Sequence, residues 1–275
     1  VQEVSNGSFS QEGAEQVTAF TNGTTYPFST FTSLDNNITS AIINSNFAGC
    51  VSNSISVTSS QTYKVSFNYT KNSGDNLRVV FSSSVSGAGS QTSNSELVST
   101  SGSITLYLTI SSSGTSYLQL GTSSGSASID FSITNISVKE VGQDWTLGTG
   151  WSIGENKVIS DGSASQFLMQ NVNFLAGKTY AIRFKADLIS GDFIFGLFPN
   201  ASGSVRNVDI GWQFTSINVS DVFYLTPTVD ILRIGFRTGG GGFIGSITNI
   251  SVKEVGQDWT FVNANISIDN NGLEI

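Results

Sequence analysis

Apolar and polar residues alternate with a period of two along many segments of this chain. Tyr63, Val65, Phe67 and Tyr69 alternate with Lys64, Ser66, Asn68 and Thr70, and Ile104, Leu106, Leu108 and Ile110 with Thr105, Tyr107 and Thr109. Tyr180, Ile182 and Phe184 alternate with Thr179, Arg183 and Lys185; Val208, Ile210, Trp212 and Phe214 alternate with Asp209, Gly211, Gln213 and Thr215. Neighbouring side chains of a strand point to opposite faces, so each segment predicts a strand with one dry and one wet face. Phe193-Ile-Phe-Gly-Leu-Phe198 reads as a buried strand. Turns are expected at Asn72–Asp75, Ser84–Gly89 and Gly239–Gly242. This pattern predicts an all-β chain built as two-sheet antiparallel sandwiches.

One strand breaks the alternation. Ile129, Phe131 and Ile133 share a face, but Ile136 and Val138 are out of phase with them, and the same shift separates Ile247 from Ile250. A β-bulge at Thr134-Asn135 and another at Thr248-Asn249 would return Ile136 and Ile250 to the core side, because one extra residue resets the parity.

The broken strand belongs to an internal repeat. Ser132–Thr146 recurs without change as Ser246–Thr260, 114 residues later. Gln61-Thr-Tyr-Lys-Val-Ser-Phe67 parallels Lys178-Thr-Tyr-Ala-Ile-Arg-Phe184. Each unit thus has a strand opening on Thr-Tyr and closes on Ile-Ser-Val-Lys-Glu-Val. Val1-Gln-Glu-Val4 resembles the closing Val138-Lys-Glu-Val141, and Asp258–Ile275 resembles Asp144–Val158. The expected organisation is 1–16 as the end of a preceding module or a linker, 17–141 as module 1, 142–255 as module 2, and 256–275 as the opening strands of a third, incomplete module. The incomplete ends suggest either a piece of a longer protein or strands completed by neighbouring subunits.

Composition narrows the function. Net charge is −8, with 12 Lys and Arg against 20 Asp and Glu, which disfavours nucleic acid and anionic membranes as partners. No apolar run reaches the ~20 residues of a membrane-spanning helix, and the first residues lack the basic-then-apolar pattern of a signal peptide. The chain has one cysteine, Cys50, so no intramolecular disulfide forms. Its setting, Phe47-Ala-Gly-Cys-Val51, reads as core. With no histidine, Ser-His-Asp and Cys-His catalysis are absent, as is the commonest zinc ligand. The acids are scattered singly, and the reading is a non-enzyme. The Asn-X-Ser/Thr triplets in so Asn- and Ser-rich a chain carry no inference of glycosylation.

Gly177-Lys-Thr-Tyr180, the opening Asp144-Trp-Thr to Gly150-Trp-Ser-Ile153, and the closing Asn-Ile-Ser-Val-Lys-Glu-Val resemble the carbohydrate-binding-module-like jelly-roll repeats of bacteriophage tail and fibre proteins, especially of marine phages. The resemblance spans Gly142–Val255 and, with a diverged opening, Ile38–Val141. It implies jelly-roll modules, a virion or cell-surface location, and adhesion. It also brings structural calcium into view: Asn6-Gly-Ser-Phe9 looks like a weakened opening of such modules, and Asp130 lies near the closing strand. No other cofactor is expected.

Sugar recognition needs exposed rings that stack on pyranose faces, with polar groups beside them. Tyr107 and Tyr117 are out of phase with their strands' apolar sets, and Gln119 and Asn68 share that outward parity. In module 2 the outward positions Arg183, Gln213 and Arg233, with Lys185 and Arg237, suit an acidic glycan. Trp212 is in phase with the core. The reading is a phage adhesion protein whose partners are surface glycans or polysaccharide and neighbouring modules of its own kind. The alternatives are a filament subunit completed by strand addition and accessory binding domains of a secreted bacterial enzyme.

Overall fold

The computed structural model describes residues 3–35, 37–43, 49–86, 91–122, 128–163, 167–198, 211–214, 222–256, 267–269 and 272–274. They form two compact units, one of Glu12–Val141 and one of Val1–Gln11 together with Gly142–Ile275. Every described regular element is a strand. Residues 1–16, expected as one linker or closing segment, are therefore divided. Those up to Gln11 join the second unit, and Glu12–Glu15 is a strand of the first.

The first unit contains β1 (Glu12–Glu15), β2 (Phe20–Asn22), β3 (Thr30–Leu34), β4 (Asn37–Ile43), β5 (Gly49–Ser52), β6 (Ile55–Val57), β7 (Thr62–Gly74), β8 (Leu77–Ser82), β9 (Gln91–Val98), β10 (Gly102–Thr109), β11 (Gly114–Gly121) and β12 (Ile129–Val141). One sheet runs β10-β7-β12-β4-β3 with β1 on β12; the other runs β2-β5-β11-β8-β9 with β6 on β11. All pairings are antiparallel. The apolar sets of the two sheets meet in one core: Tyr63 of β7 packs on Phe81 of β8 with ring centroids 5.1 Å apart. Cys50 is wholly buried there, and burial pushes its thiol well above the usual range.

The second unit contains β13 (Thr146–Leu147), β14 (Trp151–Gly154), β15 (Lys157–Asp161), β16 (Phe167–Phe174), β17 (Thr179–Phe198), β18 (Gly211–Phe214), β19 (Val222–Leu225) and β20 (Ile231–Val255). Two further strands, β21 (Ser267–Asp269) and β22 (Gly272–Glu274), pair as a hairpin. Here β17 and β20 each serve two layers. The first half of β17 pairs with β19 and the second half of β20, which continues to β15 and β14. The second half of β17 pairs with β18 and the first half of β20, which continues to β16 and β13. The layers repeat the main strand orders of the two sheets of the first unit, without separate counterparts of β1 and β6. Phe184 from one layer packs against Phe195 and Phe236 of the other at 5.4 and 5.1 Å.

Gly239–Gly242, expected as a turn, instead lies inside the continuous strand β20. A Cβ on Gly242 would stand 2.9 Å from the Gly162 carbonyl oxygen, and its φ of +73° suits glycine. Gly242 lets the strand pass between layers where a side chain would collide. In the first unit, by contrast, Gly74 ends β7 close to Ser128, where a Cβ would lie 2.0 Å from the carbonyl oxygen.

The bulges are present in both units. The β12–β7 register slips between Thr134 and Ser137, and the β17–β20 register slips opposite Thr248 and Ser251. Asn135 and Asn249 adopt φ of 55° and 54°, and Ile136 and Ile250 are buried. Both asparagines are exposed, so their conformation, not their packing, sets their worth. Replacing Asn249 with Val should destabilise the second unit by about 1–2 kcal/mol, the usual cost of a left-handed backbone for such a residue; Asn249→Gly should stay within a few tenths of the parent. Chemical denaturation of the two variants checks this.

Burial pushes the phenols of Tyr63 and Tyr69 up to about 12. Their folded pKa lies above the unfolded value near 10, so the associated stability is complete below pH 10 and is lost as pH rises toward 12. Thermal unfolding followed between pH 9 and 12 (about one unit below and two above that value) should show the first unit's midpoint falling only above pH 10.

Candidate functional site

The two sheets of each unit bury one face against each other and leave an outer face. The candidate glycan residues fall on both outer faces, so they make no single site. Tyr107 and Asn68 lie on the β10-β7-β12 sheet, where Tyr107 faces Lys64 and Asn68 faces Ser103. The Ser103 hydroxyl donates to Asn68 Oδ1 at 2.8 Å. Beside Tyr107, Lys64 and Lys139 both bridge to Glu12, at 2.6 and 3.0 Å, and hold its carboxyl below the usual range, Lys64 foremost. Ion pairs from the edge strand β1 lie across this part of the face. Arg183 is exposed on the matching layer of the second unit, between Ser251 and Val222.

Tyr117 and Gln119 lie on the outer face of the other sheet. A row crosses that sheet through Thr21, Val51, Gln119, Val80 and Ser95. Gln119 was expected in water, yet it is 0% exposed, with Val51 at 1% and Val80 at 0%. Those valines are buried outside the main core cluster. Parity therefore named the face correctly, but the face is covered at its centre. Tyr117, one row away opposite Ser82, is half-buried.

In the adjacent row Gly49 and Gly121 stand next to Arg78. The Gln119 side chain spreads over Gly49, where a Cβ would meet its Nε2 at 3.1 Å. Burial lowers the Arg78 pKa, and its Nε has no hydrogen-bond partner among the described residues. Arg78 and the Gln119 amide thus lie in neighbouring rows of this face, over a buried glycine pair.

The register carries this face into the second unit. Leu118 opposite Phe81 corresponds to Ile234 opposite Leu197, so Tyr117 corresponds to Arg233, Gln119 to Gly235 and Gly121 to Arg237. Gly235 pairs with Gly196, and both are buried, so the centre of this face is covered in the second unit as well. Arg233 and Arg237 flank it, four residues apart on one strand, or about 13 Å. Arg237 lies over the Phe167 ring, 5.8 Å from its centroid, a cation–π contact with its neighbour across the β16 ladder. Arg233 faces Asn171 across the β16 ladder. Gln213 holds the register position beside Ile194 in the Arg237 row; its side chain lies outside the described residues, as does that of Trp212.

Sequence reasoning missed Arg78, whose outward parity between Leu77 and Val79 was the available signal. It also missed the glycine pairs, because Gly235 and Gly196 are brought together only by long-range pairing. Asp130 is half-buried on β12, and its Oδ1 accepts from Asn72 Nδ2 at 2.9 Å. Among the described residues no three His, Cys, Asp or Glu side chains converge as metal ligands. Among them, too, no helix is long and apolar enough to cross a membrane.

No family model matches this sequence. No curated protein matches it either. Among solved structures, the chain is similar to the tandem CBM22-1–CBM22-2 domains of Paenibacillus barcinonensis Xyn10C, at 10% identity and a TM-score of 0.28, over 88% of this chain and 98% of that one. It is also similar to oxalate decarboxylase from Bacillus subtilis, at 8% identity and a TM-score of 0.16, over 88% of this chain and 73% of that one. At these scores the architecture rests on the strand pairing described above.

Proposed function

We propose that the chain is a non-catalytic glycan-binding protein, and that polysaccharide is held on the outer face of the β5-β11-β8 layer and its counterpart in the second unit. The observation that carries this reading is the Arg233–Arg237 pair, two half-buried cations about 13 Å apart on one strand of that layer. An extended sugar chain needs a shallow track with polar groups at its margins. Two guanidiniums along one strand favour carboxylate or sulfate substituents, which they engage through charge-assisted hydrogen bonds. In the first unit the half-buried Arg78 and Tyr117 offer one cation and one ring, a set suited to a less charged sugar.

The net charge of −8 does not oppose this reading. Over distances beyond about 8–10 Å the repulsion is screened at physiological salt, whereas contacts at the arginines are direct. The setting we infer is adhesion at a surface, of the kind carried by the phage tail and fibre repeats that the closing motif resembles. Accessory binding domains of a secreted enzyme would use the same face in the same way.

Affinity electrophoresis and calorimetry against a uronate-rich polysaccharide and a neutral glucan test the assignment. The parent should bind the acidic polymer more tightly, and Arg233→Ala with Arg237→Ala should weaken it at least tenfold, as expected for loss of charged hydrogen bonds of about 1.5–3 kcal/mol each. Unchanged binding in the double variant would overturn the face assignment. Tyr107→Ala on the opposite sheet should leave binding intact.

For calcium, the Asp130 carboxylate is already engaged by Asn72, and we assign it a structural hydrogen bond in place of a metal. Exhaustive chelation should leave the melting temperature within about 1 °C, where loss of a metal bound at a hundred times its Kd would remove about 2.7 kcal/mol.

A further inference from the structure

The second unit is assembled from two stretches of chain that are far apart in sequence. Glu3 N–H donates to the Val252 carbonyl at 2.8 Å, and Ile250 N–H donates to the Gly7 carbonyl at 2.9 Å. In the first unit the matching bond runs from Gln16 N–H to the Val138 carbonyl, 2.9 Å, and Val138 and Val252 are the same repeat position. Val17 and Val4 are both buried beside these bonds. So Glu3 and Val4 take in the second unit the place that Gln16 and Val17, just after β1, take in the first.

Nothing local in the chain compels this. The whole first unit, Glu12–Val141, lies between the segment and the rest of its fold. The segment must be selected by its own chemistry, and the contacts are specific. The Gln170 side chain grips Ser5 by both backbone groups, accepting from Ser5 N–H and donating to the Ser5 carbonyl, each at 2.9 Å. Trp145 Nε1–H reaches the carbonyls of Ser5 and Asn6, both at 3.2 Å. The Phe9 ring, 1% exposed, packs on Trp145 with centroids 5.3 Å apart. A Cβ on Gly7 would stand 1.9 Å from the Ile250 carbonyl oxygen, so only glycine fits. Asn6 and Phe9 take φ of 45° and 56°, and Phe9 N–H bonds the Asn6 carbonyl at 3.0 Å, folding the segment into a turn that returns Phe9 to the tryptophan. The segment also walls a polar pocket of about 270 Å³ shared with Asp144, Thr146, Gln170 and Asn171.

The acceptor edge does not encode this choice. Asn249–Val255 is identical in sequence to Asn135–Val141, yet the latter holds Glu12–Val17, with Glu15 Oε1 accepting from Val138 N–H at 2.7 Å. Discrimination comes from Gln170 and Trp145 beside the edge.

We propose that the second unit carries a peptide-acceptor site, formed by Ile250–Val252, Trp145 and Gln170, which recognises the segment Glu3–Phe9 as a ligand through Val4, the Ser5 backbone, Gly7 and Phe9. The site binds that segment when it is supplied on a separate molecule. The chain's own segment is its resident occupant.

Full-length Gly7→Val tests this, because it evicts the resident segment and leaves the acceptor intact. Hydrogen exchange should show the Ile250 amide losing protection at least tenfold, with amides of Glu12–Val141 unchanged. Adding a synthetic peptide of residues 1–11 should restore protection at Ile250 and shift Trp145 fluorescence with one-to-one stoichiometry, whereas the same peptide carrying Gly7→Val should do neither. Failure of the parent peptide to rescue, or an Ile250 amide unaffected by the substitution, would overturn the proposal. If Gly7→Val abolishes protection throughout Thr179–Val255, Phe9→Ala serves instead, since it removes the ring without a backbone clash. It should deprotect Ile250 while sparing the β17–β20 ladder, and lack of reversal by peptide would again refute the site.

Discussion

The long antiparallel ladder between the Thr-Tyr strand and the closing strand is the constraint on which both units depend. In the first unit it joins Thr62–Gly74 to Ile129–Val141, and in the second it joins Thr179–Ser190 to Ile244–Val255. A ladder this long must keep one face on the core over its full length, although strand twist and a period of two make any slip fatal to burial. The asparagine bulge resolves the conflict. It takes up one residue in a left-handed conformation, so that Ile136 and Val138 face the same core as Phe131 and Ile133. The demand accounts for the recurrence of the asparagine and of the isoleucine and valine positions on either side of it.

With the ladder in place, the second layer is free to differ between units. Its inner face must match the first layer and is aliphatic and aromatic in both, with Leu118 and Leu120 in one and Ile234 and Phe236 in the other. Its outer face carries no such obligation. There the first unit places Tyr117, Gln119 and Arg78, while the second places Arg233, two glycines and Arg237 in the corresponding rows. Repeated cores with diverged outer faces are what a family of binding modules requires, since stability and recognition then reside on opposite sides of one strand.

The order of the chain and the order in space also part company. The same closing edge is covered by a neighbouring segment in the first unit and by a distant one in the second. Backbone pairing alone is indifferent to who supplies it. Side chains beside the edge, Gln170 and Trp145 in one case and Glu15 of the segment itself in the other, determine the partner.

The strand faces, the repeat and the bulges were legible in the sequence because each is a local or periodic property. Tyr63, Val65, Phe67 and Tyr69 are all buried, and Asn135 and Asn249 sit where the parity broke. Cys50 was readable as core for the same reason, lying in an apolar stretch. Exposure was not legible: Gln119 has outward parity yet no contact with water, because what covers an outer face comes from elsewhere in the chain. Gly239–Gly242 looked like a turn, since glycine signals one locally, but the fold uses it to carry one strand between layers. The candidate site divided likewise. Sequence identified Tyr117 and Arg233 separately, but only the long-range register made them counterparts and set Gly235 beside Gly196. Period and composition are written in consecutive residues. Pairing partners and the ownership of residues 3–9 depend on contacts between residues far apart, and these exist only once the chain has folded.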